Sequence, residues 1–236
     1  MSTKDFRIES TFLGERRAVT MFLPANHDSA SRAPIVFCAD GQAIATFSER
    51  IERDISDQKL HEVVLVGVHS SQQRSQEYIV DEDDSRFRLH EKFFTEELPD
   101  WLRAEFGLAT DRNRTGVFGF SRGGAFALTM ASRHRELFGL VIAFSTAGEF
   151  EQFEITEQST VPSPRFYLSA GTREKPLLKT TRRIARHLKR FNIEHVITER
   201  HAGHDNGYWE TELPMALRWG FATNNSRDTR DITKSE

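Results

Sequence analysis

Short, almost continuous apolar runs recur along this chain and alternate with longer amphipathic segments. Six compact runs, most of them rich in valine, isoleucine and phenylalanine, read APIVFCAD, EVVLVGVH, RTGVFGFS, LVIAFST, PRFYLSAG and EHVITERH. A strand that is apolar along its whole length is buried on both faces, which is typical of a parallel sheet covered by helices. Two alternating runs around Gly14 predict an antiparallel hairpin before this region. The order of elements therefore predicts an α/β layer fold with right-handed crossovers.

The clearest helical pattern lies in LLKTTRRIARHLKRF. Its apolar-face positions recur at steps of three and four residues, with arginines and lysines on the other side: Leu177, Thr181, Ile184, Leu188 and Phe191. We expect the apolar face to pack on the sheet. The basic face could bind an anion, but a solvated outer face explains it at least as well, so no function is assigned to it.

The chain length predicts one large domain. With 236 residues, of which 38% are hydrophobic, the chain can bury a substantial core. We expect residues 1–222 to form a single catalytic domain. The polar stretch 223–236 lacks apolar periodicity and is predicted to be a disordered tail.

The balance of charge and the single cysteine limit the classes of partner and the cellular location that the sequence predicts. Lys and Arg total 32 against 35 Asp and Glu, so nothing overall favours nucleic acid or an anionic membrane. No run approaches the roughly 20 apolar residues that cross a bilayer. Cys38 cannot form an internal disulfide, and MSTKDFRIES has no apolar core of a secretory signal. We therefore expect a cytoplasmic protein with a small-molecule partner and no membrane contact; the oligomeric state is not indicated.

The segment GVFGFSRGG, residues 116–124, contains a G-x-S-x-G pattern centred on Ser121. This pattern occurs often by chance in glycine-rich turns. Here it follows an apolar strand and precedes the small-residue helix GGAFALTMAS, and strand, sharp turn and helix form the setting of a nucleophile elbow. The flanking glycines admit the crowded backbone of such a turn. We therefore predict that Ser121 is a nucleophile.

A serine hydroxyl needs a base within hydrogen-bonding reach and an acid that orients that base. The hydrolase order is serine, acid, histidine. The last predicted strand is followed by ERHAGHDNGYW, which offers His201 and His204. We favour His204 because it lies beyond Gly203 and away from the strand, whereas His201 is expected to be the last residue of that strand. These two histidines are also candidate metal ligands, but zinc needs three or four ligands and no Cys or His cluster in the sequence completes the set, so no metal is predicted.

The acid that orients the histidine is expected after the strand that precedes the last predicted strand. SAGTREKP places Glu174 three residues beyond Gly171, with room for a helix and a strand before His204. Asp205 and Glu149 are rival carboxylates. Glu174 is our choice among the three.

The tetrahedral oxyanion needs a pair of backbone donors. One is expected from the amide of Arg122, directly after the nucleophile, and the second from the loop after the third strand. In FCADGQAI, Asp40 and Gly41 make a turn that could aim the Gln42 amide inward. An ordinary turn at a strand end explains this segment equally well.

Taken together, these motifs resemble the enterochelin (siderophore) esterase-like, or esterase D-like, branch of the α/β-hydrolases. The likeness covers residue 34 to about 219 and depends on ADGQ, RSQEY, EEL, DRNRTGVFGFSRGG, AGTREKP and AGHDNGYW. It implies an α/β-hydrolase fold with a mostly parallel central sheet, helices on both faces and an N-terminal antiparallel hairpin. It also implies the following roles: nucleophile Ser121, base His204, acid Glu174, oxyanion amides of Gln42 and Arg122, and substrate contacts from Gly41, Arg74 and Trp209.

The resemblance implies a serine esterase that needs no cofactor and acts on a small carboxylic ester, with a siderophore trilactone as first choice. Some relatives use a serine-histidine dyad, which leaves open whether an acid takes part. Position 122 is often apolar in relatives, and the arginine found here could favour an anionic or catecholate substrate. Two alternatives remain open: an acyltransferase that uses the same serine, and a hydrolase fold kept as a non-catalytic binding protein.

Overall fold

The computed structural model describes residues 3–23, 33–80, 83–148 and 160–222. Its eight strands form one sheet in the order β1-β2-β4-β3-β5-β6-β7-β8. The strands are β1 Thr3–Ser10, β2 Glu15–Phe22, β3 Ile35–Cys38, β4 Val64–Val68, β5 Thr115–Phe120, β6 Leu140–Phe144, β7 Arg165–Gly171 and β8 His195–Arg200. The predicted tail, 223–236, lies outside the described residues.

The sheet is mostly parallel, as predicted. β1 and β2 pair antiparallel around Gly14, whose φ of 65° suits glycine, and β2 also pairs antiparallel with β4. Each of the six predicted apolar runs contains one of the strands β3 to β8, and these six strands run parallel to one another. The α/β-hydrolase fold with its opening hairpin is therefore confirmed.

Helices cover both faces of the sheet. The helices are α1 Ile44–Ser56, α2 Arg74–Tyr78, α3 Ser85–Lys92, α4 Leu98–Phe106, α5 Arg122–Arg133, α6 Lys175–Arg190 and α7 Asn206–Phe221. Helices α1 and α7 contribute to one apolar cluster, and α2 to α6 contribute to a second cluster on the opposite face. Within the described ranges, no helix is both long enough and apolar enough to cross a membrane.

Helix α6 follows its predicted pattern with one shift. Thr181, Ile184 and Leu188 are buried as expected, but Leu178 is buried whereas Leu177 is only half-buried. The buried stripe passes through positions 178, 181, 185 and 188, so Leu177 lies at its margin.

Because the six central strands run parallel, their carboxyl ends meet at one edge of the sheet. The sheet order places β5 between β3 and β6, so the segment after β5 lies between the segments after those two strands. Ligand sites of open α/β sheets lie at such an edge, where neighbouring connections diverge. The fold thus brings together the segments that carry the predicted site residues.

Candidate active site

Ser121 lies in a tight turn between β5 and α5. Its φ of 56° and ψ of −124° are rare for a residue with a side chain, and residues held in such conformations cluster at functional sites. A Cβ added to Gly119 would lie 2.0 Å from the carbonyl oxygen of Gly123, so only glycine fits there. The Ser121 amide donates to Phe144 O at 2.9 Å, and the Ser121 carbonyl accepts from Ala147 N at 3.0 Å. The end of β6 and the segment after it therefore hold this turn, and its serine side chain is partly exposed.

The imidazole of His204 and the carboxylate of Glu174 are hydrogen bonded. His204 Nδ1 lies 2.5 Å from Glu174 Oε1. The Glu174 side chain is 3% exposed, whereas the His204 side chain is 43% exposed. The second carboxylate oxygen, Oε2, accepts from Ser145 Oγ at 2.7 Å and from Gly171 N at 2.8 Å. A hydrogen bond at Nδ1 leaves Nε2 as the ring nitrogen that can accept a proton.

Trp209 connects this pair to the serine turn. Its indole stacks on Phe120, the residue before Ser121, with ring centroids 4.2 Å apart. The indole also meets the His204 ring edge-to-face at 4.8 Å, and its Nε1 donates to Ser145 Oγ at 3.1 Å. Trp209 is only 4% exposed, which leaves little of the indole for the substrate contact expected from the sequence.

Trp209 contacts both His204 and Phe120, the residue before Ser121. His204 therefore lies on the same side of the sheet edge as Ser121. The hydrogen bonds of the described residues include none between Ser121 Oγ and the His204 imidazole. In hydrolases without substrate, such bonds are often long and shorten when the substrate binds.

The rival groups have other partners. Asp205 caps α7, with Oδ1 accepting from the Tyr208 amide at 3.0 Å. His201 Nδ1 lies 3.4 Å from the Thr172 hydroxyl in an exposed bend after β8. Glu149 lies outside the described residues. In the part of the chain that the structure describes, no three His, Cys, Asp or Glu side chains are placed to hold a metal ion.

The two expected oxyanion amides begin helical turns. Arg122 is the first residue of α5, and Gln42 lies in a single 3-10 turn, Gly41–Ala43. The first amides of a helical turn have no acceptor within it, so both can donate to a ligand. A Cβ on Gly123 would lie 2.9 Å from Asp40 Oδ2. The turn after β3 therefore packs directly against the turn that carries Ser121.

Close packing also explains why residue 41 is a glycine. A Cβ at this position would lie 2.1 Å from the carbonyl oxygen of Gly67 in β4, so any side chain would displace the turn. The Gln42 side chain is bonded to Ser70, with Nε2 donating to Ser70 Oγ at 2.9 Å and Oε1 accepting from the Ser70 amide at 3.2 Å. These contacts fix the backbone that carries the Gln42 amide.

Arg74 is held by Asp40 through two parallel hydrogen bonds. Its Nε and Nη2 donate to Oδ1 and Oδ2, each at 2.6 Å. Burial alone would lower the pKa of Arg74, but the hydrogen bonds and charge of Asp40 outweigh burial and raise it. The Asp40 amide donates to Tyr78 Oη at 2.9 Å, and Asp40 has φ of 56°. Arg74, expected from the sequence to contact substrate, is thus engaged with the turn that contains Gln42.

The Arg122 side chain is exposed and its Nη1 donates to the hydroxyl of Ser75 in α2. The guanidinium is the exposed cation nearest in sequence to Ser121.

The sequence alone did not indicate Ser145, Tyr78 or the role of Asp40. Ser145 directly follows the buried strand β6 at the same sheet edge, and that position is the signal that could have found it. Tyr78 and Asp40 are far apart in sequence, and only the fold shows that they meet.

The strained serine turn after β5, together with the sheet order and the segments after β7 and β8, defines the α/β-hydrolase class. The family model described as "Putative esterase" matches residues 10–219. The chain belongs to this esterase family, and by class it is a carboxylic ester hydrolase. The resemblance inferred from the motifs is therefore confirmed.

Solved structures of esterases share the fold at low sequence identity. A ferric enterobactin esterase from Salmonella typhimurium has a TM-score of 0.78 and 23% identity over 93% of this chain and 58% of its own. A ferulic acid esterase has a TM-score of 0.76 and 18% identity, covering 92% of this chain and 96% of its own. The BES protein from Bacillus cereus has a TM-score of 0.75 and 16% identity, covering 93% and 94%.

The chain thus spans somewhat more than half the length of the enterobactin esterase that it matches. Comparison with curated proteins gives no match.

Proposed function

We propose that the protein is a serine esterase that forms an acyl-enzyme on Ser121, with His204 as the base and Glu174 as the acid. The observation that carries this proposal is the hydrogen bond between Glu174 and His204 Nδ1, which leaves Nε2 as the basic nitrogen. A second observation supports the proposal, because Ser121 lies in the strained turn after β5. Both features lie at the carboxyl edge of the parallel strands.

In the first half of the reaction, His204 Nε2 takes the proton of the Ser121 hydroxyl as the oxygen attacks the ester carbonyl. The amides of Arg122 and Gln42 donate hydrogen bonds to the resulting oxyanion. The intermediate collapses, the bond to the alcohol oxygen breaks, and His204 returns the proton to the departing alcohol.

In the second half, water replaces the alcohol. His204 removes a proton from the water as its oxygen attacks the acyl carbon, and collapse of the second intermediate releases the acid and reprotonates Ser121. His204 has a side chain that is 43% exposed, which gives water access to the base. The residues named here suffice for every proton transfer, so the mechanism uses no metal or organic cofactor.

For the substrate we propose a small carboxylic ester, with a siderophore trilactone or its linear esters as first choice. The support is the motif resemblance and an exposed guanidinium on Arg122, next to the nucleophile. A guanidinium suits an anionic or catecholate group near the scissile ester.

Hydrolysis of p-nitrophenyl acetate and p-nitrophenyl butyrate tests the reaction. We expect turnover by the wild type and its loss in Ser121→Ala, while His201→Ala retains activity because that imidazole lies outside the proposed machinery. Turnover that survives in Ser121→Ala would reject the proposed nucleophile. A folded wild type without turnover on these esters or on a catecholate trilactone would favour a binding protein.

A further inference from the structure

A groove borders helix α6 and strand β8 at the end of the sheet. Its volume is about 710 Å³. Six charged side chains line it: Lys175, Lys179, Arg182, Arg186, Lys189 and Glu199. Leu178, Ala185 and Ile197 provide apolar surface in the same groove. It belongs to the basic helix face to which the sequence assigned no function.

The groove is strongly cationic in a protein whose net charge is −3. It is lined by five lysines and arginines and by one carboxylate, that of Glu199. Both oxygens of Glu199 accept hydrogen bonds from Arg182, at 2.7 and 2.6 Å. Lys175, Lys179 and Lys189 are exposed and form no ion pair with any residue that the structure describes. Three positive charges are therefore available to a ligand along this face.

Among the residues that the structure describes, β8 is the last strand of the sheet and β7 is its one pairing partner. Phe166 N donates to Glu194 O, and Thr172 N donates to Arg200 O. In a parallel pair, alternate residues direct both backbone groups to the partner strand, so 195, 197 and 199 direct theirs outward. The side chains of these same three residues line the groove. An unpaired strand edge and a row of cations thus border one site.

The length of the site matches an extended chain. Lys175 and Lys189 are fourteen positions apart on α6, which corresponds to about 21 Å along a helix. An extended segment of about six residues has the same length. A single phosphate would contact only a small part of this row.

We propose that this groove binds an extended acidic peptide segment, which adds to the free edge of β8 and places its carboxylates along the cations of α6. Backbone pairing would supply affinity, and the apolar floor at Leu178 and Ile197 would take the alternate, uncharged side chains. A second copy of this chain fits poorly, because two edges meeting here would bring two rows of cations together. The site is separate from the proposed esterase chemistry, and its test does not depend on turnover.

The probe is a fluorescein-labelled seven-residue peptide of alternating glutamate and valine, blocked at both ends, followed by fluorescence anisotropy. We expect saturable binding to the full chain and a loss of at least tenfold in affinity in Lys179→Glu/Lys189→Glu. The matched control is Lys4→Glu/Arg53→Glu, which reverses two exposed cations on β1 and α1, away from the groove, and is expected to bind like the wild type. Thermal unfolding verifies that each variant is folded.

Two further probes separate strand addition from attraction to any polyanion. A peptide with N-methyl groups on alternate backbone amides keeps its charges but cannot pair with β8, so we expect it to bind at least tenfold more weakly. Equal binding of the methylated peptide, or displacement by oligo(dT) at equal charge concentration, would overturn the proposal in favour of a generic polyanion surface. No binding of the glutamate-valine peptide at low salt, or equal binding by both double variants, would also overturn it.

Discussion

The hydroxyl of Ser145 donates a 2.7 Å hydrogen bond to Oε2 of Glu174, whose other oxygen contacts His204. Ser145 also accepts from Trp209 Nε1, so one hydroxyl ties the carboxylate to the indole that packs against the imidazole. None of these contacts joins residues that are adjacent in the sequence. The proposed acid and base are therefore oriented by residues from three segments at the sheet edge.

Glu174→Gln tests the role of the carboxylate. The amide retains the shape of the side chain but loses the charge that stabilises an imidazolium, and we expect kcat to fall roughly 10³- to 10⁴-fold with a small change in KM. The measurement is steady-state hydrolysis of p-nitrophenyl butyrate. The control is Asp205→Asn, which keeps a capping side chain at the start of α7 and should retain activity within a few fold. The opposite ranking of the two variants would make Asp205 the acid.

Trp209→Phe tests the link through Ser145. Phenylalanine retains an aromatic ring against Phe120 but has no N–H, so Ser145 loses one hydrogen bond. We expect kcat to fall about three- to tenfold, since one hydrogen bond contributes roughly 0.5–1.5 kcal/mol, with KM nearly unchanged. A large rise in KM with constant kcat would instead show that the indole contacts substrate.

Arg74→Gln separates two roles for this arginine. If Arg74 positions the turn that carries the Gln42 amide, its loss loosens one oxyanion donor, and kcat for a neutral ester should fall about 10- to 100-fold. If Arg74 contacts the substrate, KM should rise for an ester that carries a carboxylate or catechol while turnover of the neutral ester is unchanged. The bidentate pair with Asp40 leads us to expect the first result. Parallel kinetics on both kinds of ester measure the difference.

Much of the fold was accessible from the sequence because β3 to β6 are apolar along most of their length and each of the strands β3 to β8 lies within a recognisable run. The turn at Ser121 was accessible for a related reason, since glycines, strand and helix are contiguous there. These features depend on local sequence, and the structure reproduces them. The shift from Leu177 to Leu178 shows the limit of a periodic pattern, which predicts a face only to within one residue.

Other features of the site depend on contacts between distant segments. Spacing alone could not show that Asp205 caps α7, nor that Arg74 pairs with Asp40. Burial of Trp209 follows from its packing on Phe120, which lies on a different segment. Such contacts depend on the tertiary arrangement and have no local sequence signal.

The burial of His90 leads us to expect that the free energy of unfolding depends on pH. It is fully buried, and neither ring nitrogen has a hydrogen-bond partner among the residues described. Burial lowers the pKa of His90 from 6.5 to about 3, an effect that the charge of Glu77 only partly offsets. Between these values the unfolded chain binds a proton that the native chain does not, so the free energy of unfolding falls as the pH drops below 6.5, by at most roughly 1.4 kcal/mol per pH unit.

We expect His90→Leu to flatten this dependence between pH 7 and 5, because leucine has a similar volume and no titratable group. Guanidinium unfolding at several pH values measures the slope. Parallel curves for the wild type and His90→Leu would contradict the proposed contribution of His90.

We propose that the Ser121 hydroxyl is a nucleophile activated by His204. Treatment with a fluorophosphonate probe, followed by peptide mass spectrometry, tests it most directly because the probe reports the attacking atom without requiring the natural substrate. We expect one adduct, located on Ser121, that is absent in Ser121→Ala and forms far more slowly in His204→Ala. A folded wild type that acquires no adduct, or one whose Ser121 is labelled at the same rate without the imidazole, would contradict it.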